Sequence, residues 1–471
     1  TNNDLWIVSV NGGAAKNITA ENPASDSTPL YSPDGKYIAY RAQQRPGYES
    51  DRFRLMLYDR KMGEKKNLTE DFDGWVGSFA WVSSEIYFAA ENAGNSPIYW
   101  IVPEMCLNGC RPIKSLDGFN DDIGFVRQSE TYTETTFPLS SIVFSQMSVE
   151  GPTGLFIAEH GSCVIGVDKA REMLTGKSKE PLPECSIPKA RRLTHLNDAV
   201  LSQVTMSPLE PFWFTGAHGD KVEGFLVKPP NFDPSKKYPV KFLLHGGPEG
   251  AWGDDWSYRW NPELFAAPSA AVSSGYVVIM INFHGSTGYG QKFVDAINGD
   301  WGGAPFEDLM KGLDYAEKTY SFIDKDRECA LGASYGGYMA NWVLGHTDRF
   351  KCIVSHDGMF NSISAWGTTE ELWFNEWEFK GTPYSNREMY DKWSPSNAAK
   401  NFKTPTLVVH GQLDYRLDVS EGFQLFTILQ RMGVPSKMLY FPNEGHWVLK
   451  PQNSQLWWKT VNDWVDEWVG K

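Results

Sequence analysis

The chain has 471 residues, a formal net charge of -14 and a pI near 5.2, so it offers no basic stripe to displace counterions from phosphates and a nucleic-acid partner is excluded. Its 41% hydrophobic and 14% aromatic content suffices for large cores and excludes a disordered chain; the length calls for two or three domains. The longest apolar run, about eight residues around Tyr276 to Phe283, falls far short of the ~20 that span a bilayer, so no membrane anchor is expected.

The chain opens inside a strand-like run, Leu5-Trp6-Ile7-Val8, without a signal peptide, so further residues are expected upstream. To about Val204 short β runs are punctuated by Gly, Pro, Asn and Asp. They repeat. Leu5-Trp6-Ile7-Val8, Asn17-Ile18-Thr19 and Pro33-Asp34-Gly35 return as Arg54-Leu55-Met56-Leu57-Tyr58, Asn67-Leu68-Thr69 and Glu85-Ile86-Tyr87-Phe88. Fainter echoes are Pro97-Ile98-Tyr99-Trp100-Ile101 and Gly154-Leu155-Phe156-Ile157-Ala158, the latter closing with Arg191-Arg192-Leu193-Thr194. Such spacing is the signature of propeller blades, and residues 1–204 have room for ~4 to 5 of them. A propeller incomplete at its N-terminus is expected.

Six cysteines form three suggestive pairs, Cys106 with Cys110, Cys163 with Cys185, and Cys329 with Cys352, none with the doubled spacing of a zinc site. No metal or cofactor is expected. Asn17 and Asn67 head N-x-T sequons. Cysteines and sequons together point to a secreted, glycosylated protein with disulfides.

After Leu209 apolar strand-like runs (240–244, 277–281, 329–331, 352–354, 406–409, 437–441) alternate with helix-length segments such as 306–320, where Phe306, Leu309, Met310, Leu313 and Ala316 share a face. This alternation predicts a mainly parallel sheet covered by helices on both sides, across residues 205–471, with active groups beyond the carboxyl ends of the strands.

Within it, Gly332-Ala333-Ser334-Tyr335-Gly336 has the G-x-S-x-G pattern between an apolar strand and a helix-like segment, a turn that raises a serine hydroxyl above a sheet. Such a serine needs a base and an acid, in the chain order Ser, Asp or Glu, His of an α/β-hydrolase. His446, in the polar loop after the last strand, is the expected base. His346, His356 and His410 are expected in packing or capping roles. Asp414, directly after the 406–409 strand, is the expected acid, and its rival Asp418 stands where a helix should start. The oxyanion donors are expected at the amide of Tyr335 and near Gly247, in the glycine-rich turn His245-Gly246-Gly247-Pro248.

These motifs, with Asn282-Phe283-His284-Gly285-Ser286-Thr287-Gly288-Tyr289-Gly290, Asp414-Tyr415-Arg416 and His446-Trp447, resemble the prolyl oligopeptidase family of serine peptidases, most of all the branch holding acylaminoacyl-peptidases and secreted fungal-type dipeptidyl-peptidases V. The resemblance spans residues 205–471. It implies a propeller before an α/β-hydrolase, peptide substrates, and release of dipeptides from N-termini through an acyl-enzyme. It also implies that Arg416 binds a substrate carbonyl and that Phe360 and Trp366, with Met359, Trp373 and Phe374, are candidates for the specificity pocket. Alternatives are an acylaminoacyl-peptidase or oligopeptidase of the same family, a carboxylesterase or lipase sharing the serine turn, and a non-catalytic binding module. The resemblance names no group for the substrate's free ammonium.

Overall fold

In the computed structural model, which describes residues 2–106, 111–127, 140–159 and 190–470, the chain divides into two units. The first comprises Thr1–Gln203 with the short segments Gly253–Asp255 and Gly288–Gln291, and the second Val204–Trp252, Trp256–Thr287 and Lys292–Lys471.

The first unit is built from antiparallel meanders whose strands neighbour one another in chain order. Strands Asp26–Tyr31, Tyr37–Ala42, Arg54–Asp59 and Lys65–Asn67 make one four-stranded sheet, and Phe79–Val82, Glu85–Ala89, Ile98–Ile101 and Ile113–Leu116 a second. A third joins Phe119–Arg127, Ser140–Ser148, Gly151–Glu159 and Arg191–Arg192, and Trp6–Ile7 pairs with Lys16–Asn17. These are propeller blades, three four-stranded and one two-stranded among the described residues. The third blade draws its strands from as far apart as Phe119 and Arg192.

The repeated N-x-T and R-L-T segments have one physical role. The hydroxyl oxygens of Thr19, Thr69 and Thr194 each accept, at 2.9 Å, the backbone N–H of Leu5, Leu55 and Leu155, and the residue before each threonine donates its N–H to the carbonyl of the same leucine. Asn17 and Asn67 turn their side-chain oxygens back onto the N–H groups of Thr19 and Thr69. The Pro-Asp-Gly stretch is a hairpin turn in which Gly35, at φ +71°, donates its N–H to Ser32.

The second unit holds a sheet of eight strands: β1 Glu210–Thr215, β2 Lys221–Val227, β3 Tyr238–Leu244, β4 Val277–Asn282, β5 Ile323–Ala333, β6 Cys352–His356, β7 Thr406–Gly411 and β8 Ser436–Phe441, in the order β1-β2-β4-β3-β5-β6-β7-β8. All pairings from β4 through β8 are parallel; β1 and β2 add an antiparallel edge. Alternate residues of β3 and β4 enter two different cores, Val240, Phe242, Val277 and Ile279 on one face and Leu243, Val278 and Met280 on the other. Burial of both faces is why these strands read as unbroken apolar runs. The helices used below are α1 Ala304–Thr319, α2 Tyr335–His346, α3 Ser362–Thr368, α4 Leu372–Glu378, α5 Val419–Met432 and α6 Pro451–Val469. The expected face of α1 is buried at Leu309, Leu313 and Ala316.

Cys329 of β5 and Cys352 of β6 face each other in register with Cα atoms 4.9 Å apart and form a disulfide. The other two expected pairings involve Cys110, Cys163 and Cys185, which lie outside the described residues. Among the described residues no helix is long and apolar enough to cross a membrane.

Candidate active site

The site begins where β5 runs into α2. Ser334 sits between them at φ 59° and ψ -121°, a conformation that non-glycine residues avoid and that persists only when its surroundings enforce it. Its N–H donates to the carbonyl of His356 at 3.0 Å, and its own carbonyl accepts the N–H of Tyr338 at 2.9 Å, starting the helix. A methyl group on Gly336 would stand 2.1 Å from the carbonyl oxygen of Leu244, and one on Gly332 would stand 2.1 Å from that of Gly336. Glycine is obligatory on both sides of the serine because three backbones meet there.

Tyr335 opens α2, so its N–H has no intrahelical acceptor and lies at the positive end of the helix. The loop after β3 passes close by: a methyl group on Gly246 would lie 3.2 Å from the Ser334 Cβ and 3.7 Å from its Oγ. The next residue, Gly247, takes φ +124°. This loop is held by groups whose role the sequence did not disclose. His245 donates from Nδ1 to the Gly246 carbonyl and accepts the Ser286 hydroxyl at Nε2, both at 2.8 Å, with its ring stacked 4.0 Å from Phe283. Burial pushes this imidazole down to about 4, so it is neutral and able to accept. Asn282 grips both the N–H and the carbonyl of Trp252, at 2.8 and 2.9 Å, and the Thr287 N–H donates to Gly250 at 3.1 Å. The segment from Asn282 to Thr287 is thus a brace for the glycine loop; the motif was visible in sequence, but its bracing contacts were not.

Beyond the end of β7, Asp414 is fully buried and accepts at Oδ1 from the N–H groups of Arg416 and Leu417, at 2.9 and 3.0 Å. Its Oδ2 lies 2.7 Å from Nδ1 of His446. Burial alone would raise this carboxyl, but the hydrogen bond from His446 and the backbone donors outweigh it and hold Asp414 below the usual carboxylate range. An ionised carboxylate on Nδ1 fixes the tautomer that leaves Nε2 free to take a proton. Asp418 instead caps α5 through the Ser420 N–H at 3.0 Å. His346 bonds the Trp342 carbonyl, and His410 bonds that of Leu417, at 2.7 and 2.8 Å. His356 is buried and pushed down to about 4.

One further acid was missed. Asp357, just past β6 at φ +47°, is buried against Nε2 of His356 at 2.8 Å, and His410 Nε2 lies 3.8 Å from it and 3.7 Å from Asp414. Burial pushes Asp357 up to about 7. Only its place directly after a strand end, next to Gly358, could have singled it out.

The expected pocket residues part company. Phe360 and Met359 are each 1% exposed and belong to the core, so their side chains do not line an open wall. The run Met359-Phe360 continues the strand exit into the core, and the Phe360 N–H is fixed by Glu421 at 2.8 Å. Trp366 on α3 is partly buried, with its indole N–H on Glu376 at 3.2 Å, and Phe374 on α4 packs 6.0 Å from Trp301. Trp373 is 39% exposed. Arg416 pairs with Glu371 at 2.7 Å and Glu370 at 3.6 Å.

Residues 256–471 match the model of the Prolyl oligopeptidase family. Over 474 residues the chain is 35% identical to dipeptidyl-peptidase 5 of Schizosaccharomyces pombe, covering 98% of this chain and 61% of that protein. It is 37% identical over 459 residues to dipeptidyl-peptidase 5 of Aspergillus oryzae, covering 96% and 58%. The chain therefore spans about three fifths of the length of these relatives. Its fold is similar to that of an acylaminoacyl peptidase from Pyrococcus horikoshii, with a TM-score of 0.78 at 22% identity, covering 99% of this chain and 66% of the other.

Proposed function

From the match of residues 256–471 to the prolyl oligopeptidase family model we propose that the chain is a secreted serine exopeptidase releasing dipeptides from the N-termini of peptides. One observation carries this reading: a buried, ionised Asp414 held 2.7 Å from Nδ1 of His446, in a sheet that also presents Ser334 on a strained turn. In this proposal Ser334 Oγ attacks the scissile carbonyl while His446 Nε2 takes its proton, and the oxyanion forms against the amides of Tyr335 and Gly247. The protonated imidazole then gives its proton to the departing amine. Water, activated by the same base, cleaves the ester and restores the serine. Arg416, though paired with Glu371, is the proposed partner of a substrate carbonyl upstream of the scissile bond. Secretion and glycans at Asn17 and Asn67 rest on the sequons and on the disulfide of β5 and β6.

The test is product analysis on a peptide mixture. Free dipeptides are the expected product; single blocked residues would instead assign an acylaminoacyl-peptidase, and fatty acids from ester substrates a lipase. Ser334→Ala should lower turnover by on the order of 10⁴-fold or more with an unchanged circular dichroism spectrum. Near-parental activity in that variant would remove the assignment.

A further inference from the structure

One cation near the base is left unused by the chemistry above. Arg259 lies half-buried in the segment after the glycine loop, its guanidinium 4.8 Å from the ring centre of Trp447 and 5.9 Å from that of Tyr258. Among the described residues it makes no ion pair with a carboxylate, and its charge bears on the Tyr258 phenol and on the buried His356 imidazole. By contrast Arg349, also largely buried, is surrounded by Asp314, Glu317 and Glu328, as a desolvated guanidinium normally requires. Trp447 follows His446 directly, and their rings are 6.0 Å apart. Laid end to end, these distances keep the guanidinium within about 11 Å of the imidazole centre.

We propose that Arg259, stacked on Trp447, is the anchor for the free α-carboxylate of the leaving portion of a short peptide, so that the substrates are oligopeptides ending one or two residues beyond the cut. This rests on the peptidase reading and specifies its substrate class. The proposal follows the chemistry: the imidazole of His446 hands its proton to the departing amine, and Trp447, next to it in the chain, carries the Arg259 guanidinium on its ring. The distance fits as well, because the carboxylate of a one- or two-residue leaving group lies roughly 4 to 7 Å from that amine, and an arginine fork spans the rest. A guanidinium presents paired donors that match a carboxylate, and stacking on an indole holds that fork flat without neutralising it. Tyr258 and Trp447 are 63% and 48% exposed, which leaves the stacked cation open to such a ligand.

The experiment compares one tripeptide supplied as the free acid and as its C-terminal carboxamide, with a dipeptidyl anilide as a third substrate that lacks any carboxylate. In the parent protein kcat/KM for the free acid should exceed that for the amide by about tenfold or more. In Arg259→Met this ratio should fall to near one, and in Arg259→Lys it should be intermediate; a ratio taken within one protein is insensitive to the fraction folded. Anilide turnover with a ratio near one in the parent, or a ratio that survives in Arg259→Met, overturns the carboxylate anchor alone. Turnover of none of the three overturns the peptidase reading and the anchor with it.

Discussion

The two units of this chain solve the problem of ordering in opposite ways. In the first, each strand pairs with its neighbour in sequence through mostly short turns, and the threonine that closes a blade can lie as near as 14 residues from its partner, as Thr69 does from Leu55. In the second, the parallel strands β3 to β8 are joined by long connections that carry helices, so that Asp414 beyond β7 meets His446 beyond β8 across 32 residues and Ser334 after β5 is tied to His356 of β6. Local pairing makes structure that tolerates change blade by blade. Non-local pairing makes a site, and exposes it to single substitutions in several elements.

The contrast can be tested by substitutions graded in effect. Asp414→Asn, which keeps the shape but removes the charge behind His446, should lower kcat by about 10⁴-fold without loss of fold; a loss under tenfold would mean that the dyad is not the working pair. Gly336→Ala places a methyl group 2.1 Å from the Leu244 carbonyl oxygen, and because that atom is backbone the sheet itself must shift. Loss of at least about 4 kcal/mol of stability, or of soluble protein altogether, is expected.

Asp357→Asn should have a smaller effect that depends on pH. A carboxyl raised from 3.8 to about 7 binds its proton more tightly in the native than in the unfolded state, so its contribution to stability falls as pH rises from about 4 through 7. Asparagine does not titrate. Denaturant midpoints of the variant should therefore gain on the parent between pH 5 and pH 8, by roughly 2 kcal/mol. A constant difference across that range would place the Asp357 charge out of the balance. Smallest of all, Thr69→Ala leaves the Leu55 N–H without its acceptor and should cost about 1–3 kcal/mol in thermal or chemical unfolding of the first unit. A matching drop in kcat in this variant would break the separation between local and assembled regions.

The same division explains what could be read from the residues alone. Blade strands, the Pro-Asp-Gly turn and the closing threonines are local patterns and announced themselves, as did the apolar strands of the sheet and the G-x-S-x-G turn. Helix α6, whose Trp457, Val461, Trp464 and Val465 are buried against the sheet, was not singled out, since tryptophans spread through a polar segment mask the apolar face. Asp414 could be told from Asp418 because one follows a strand and the other starts a helix. Asp357 and the brace Asn282 to Ser286 could not be assigned roles, because what they do depends on partners dozens of residues away. Phe360 was misplaced for a similar reason: an aromatic after a strand end reads alike whether it turns into the interior or lines a cleft.

The closing turns of the first unit bear on how sugar addition is inferred. Asn17 and Asn67 spend their side-chain oxygens on the amides of Thr19 and Thr69, while their nitrogens contact Asp4 and Glu70. A glycan is attached through the nitrogen and leaves the oxygen as it was, so the turn and the carbohydrate are compatible. It follows equally that the triplet would be kept for its geometry in a compartment that never glycosylates. In chains of repeating blades, a count of N-x-T triplets tallies corners of the architecture along with sugars.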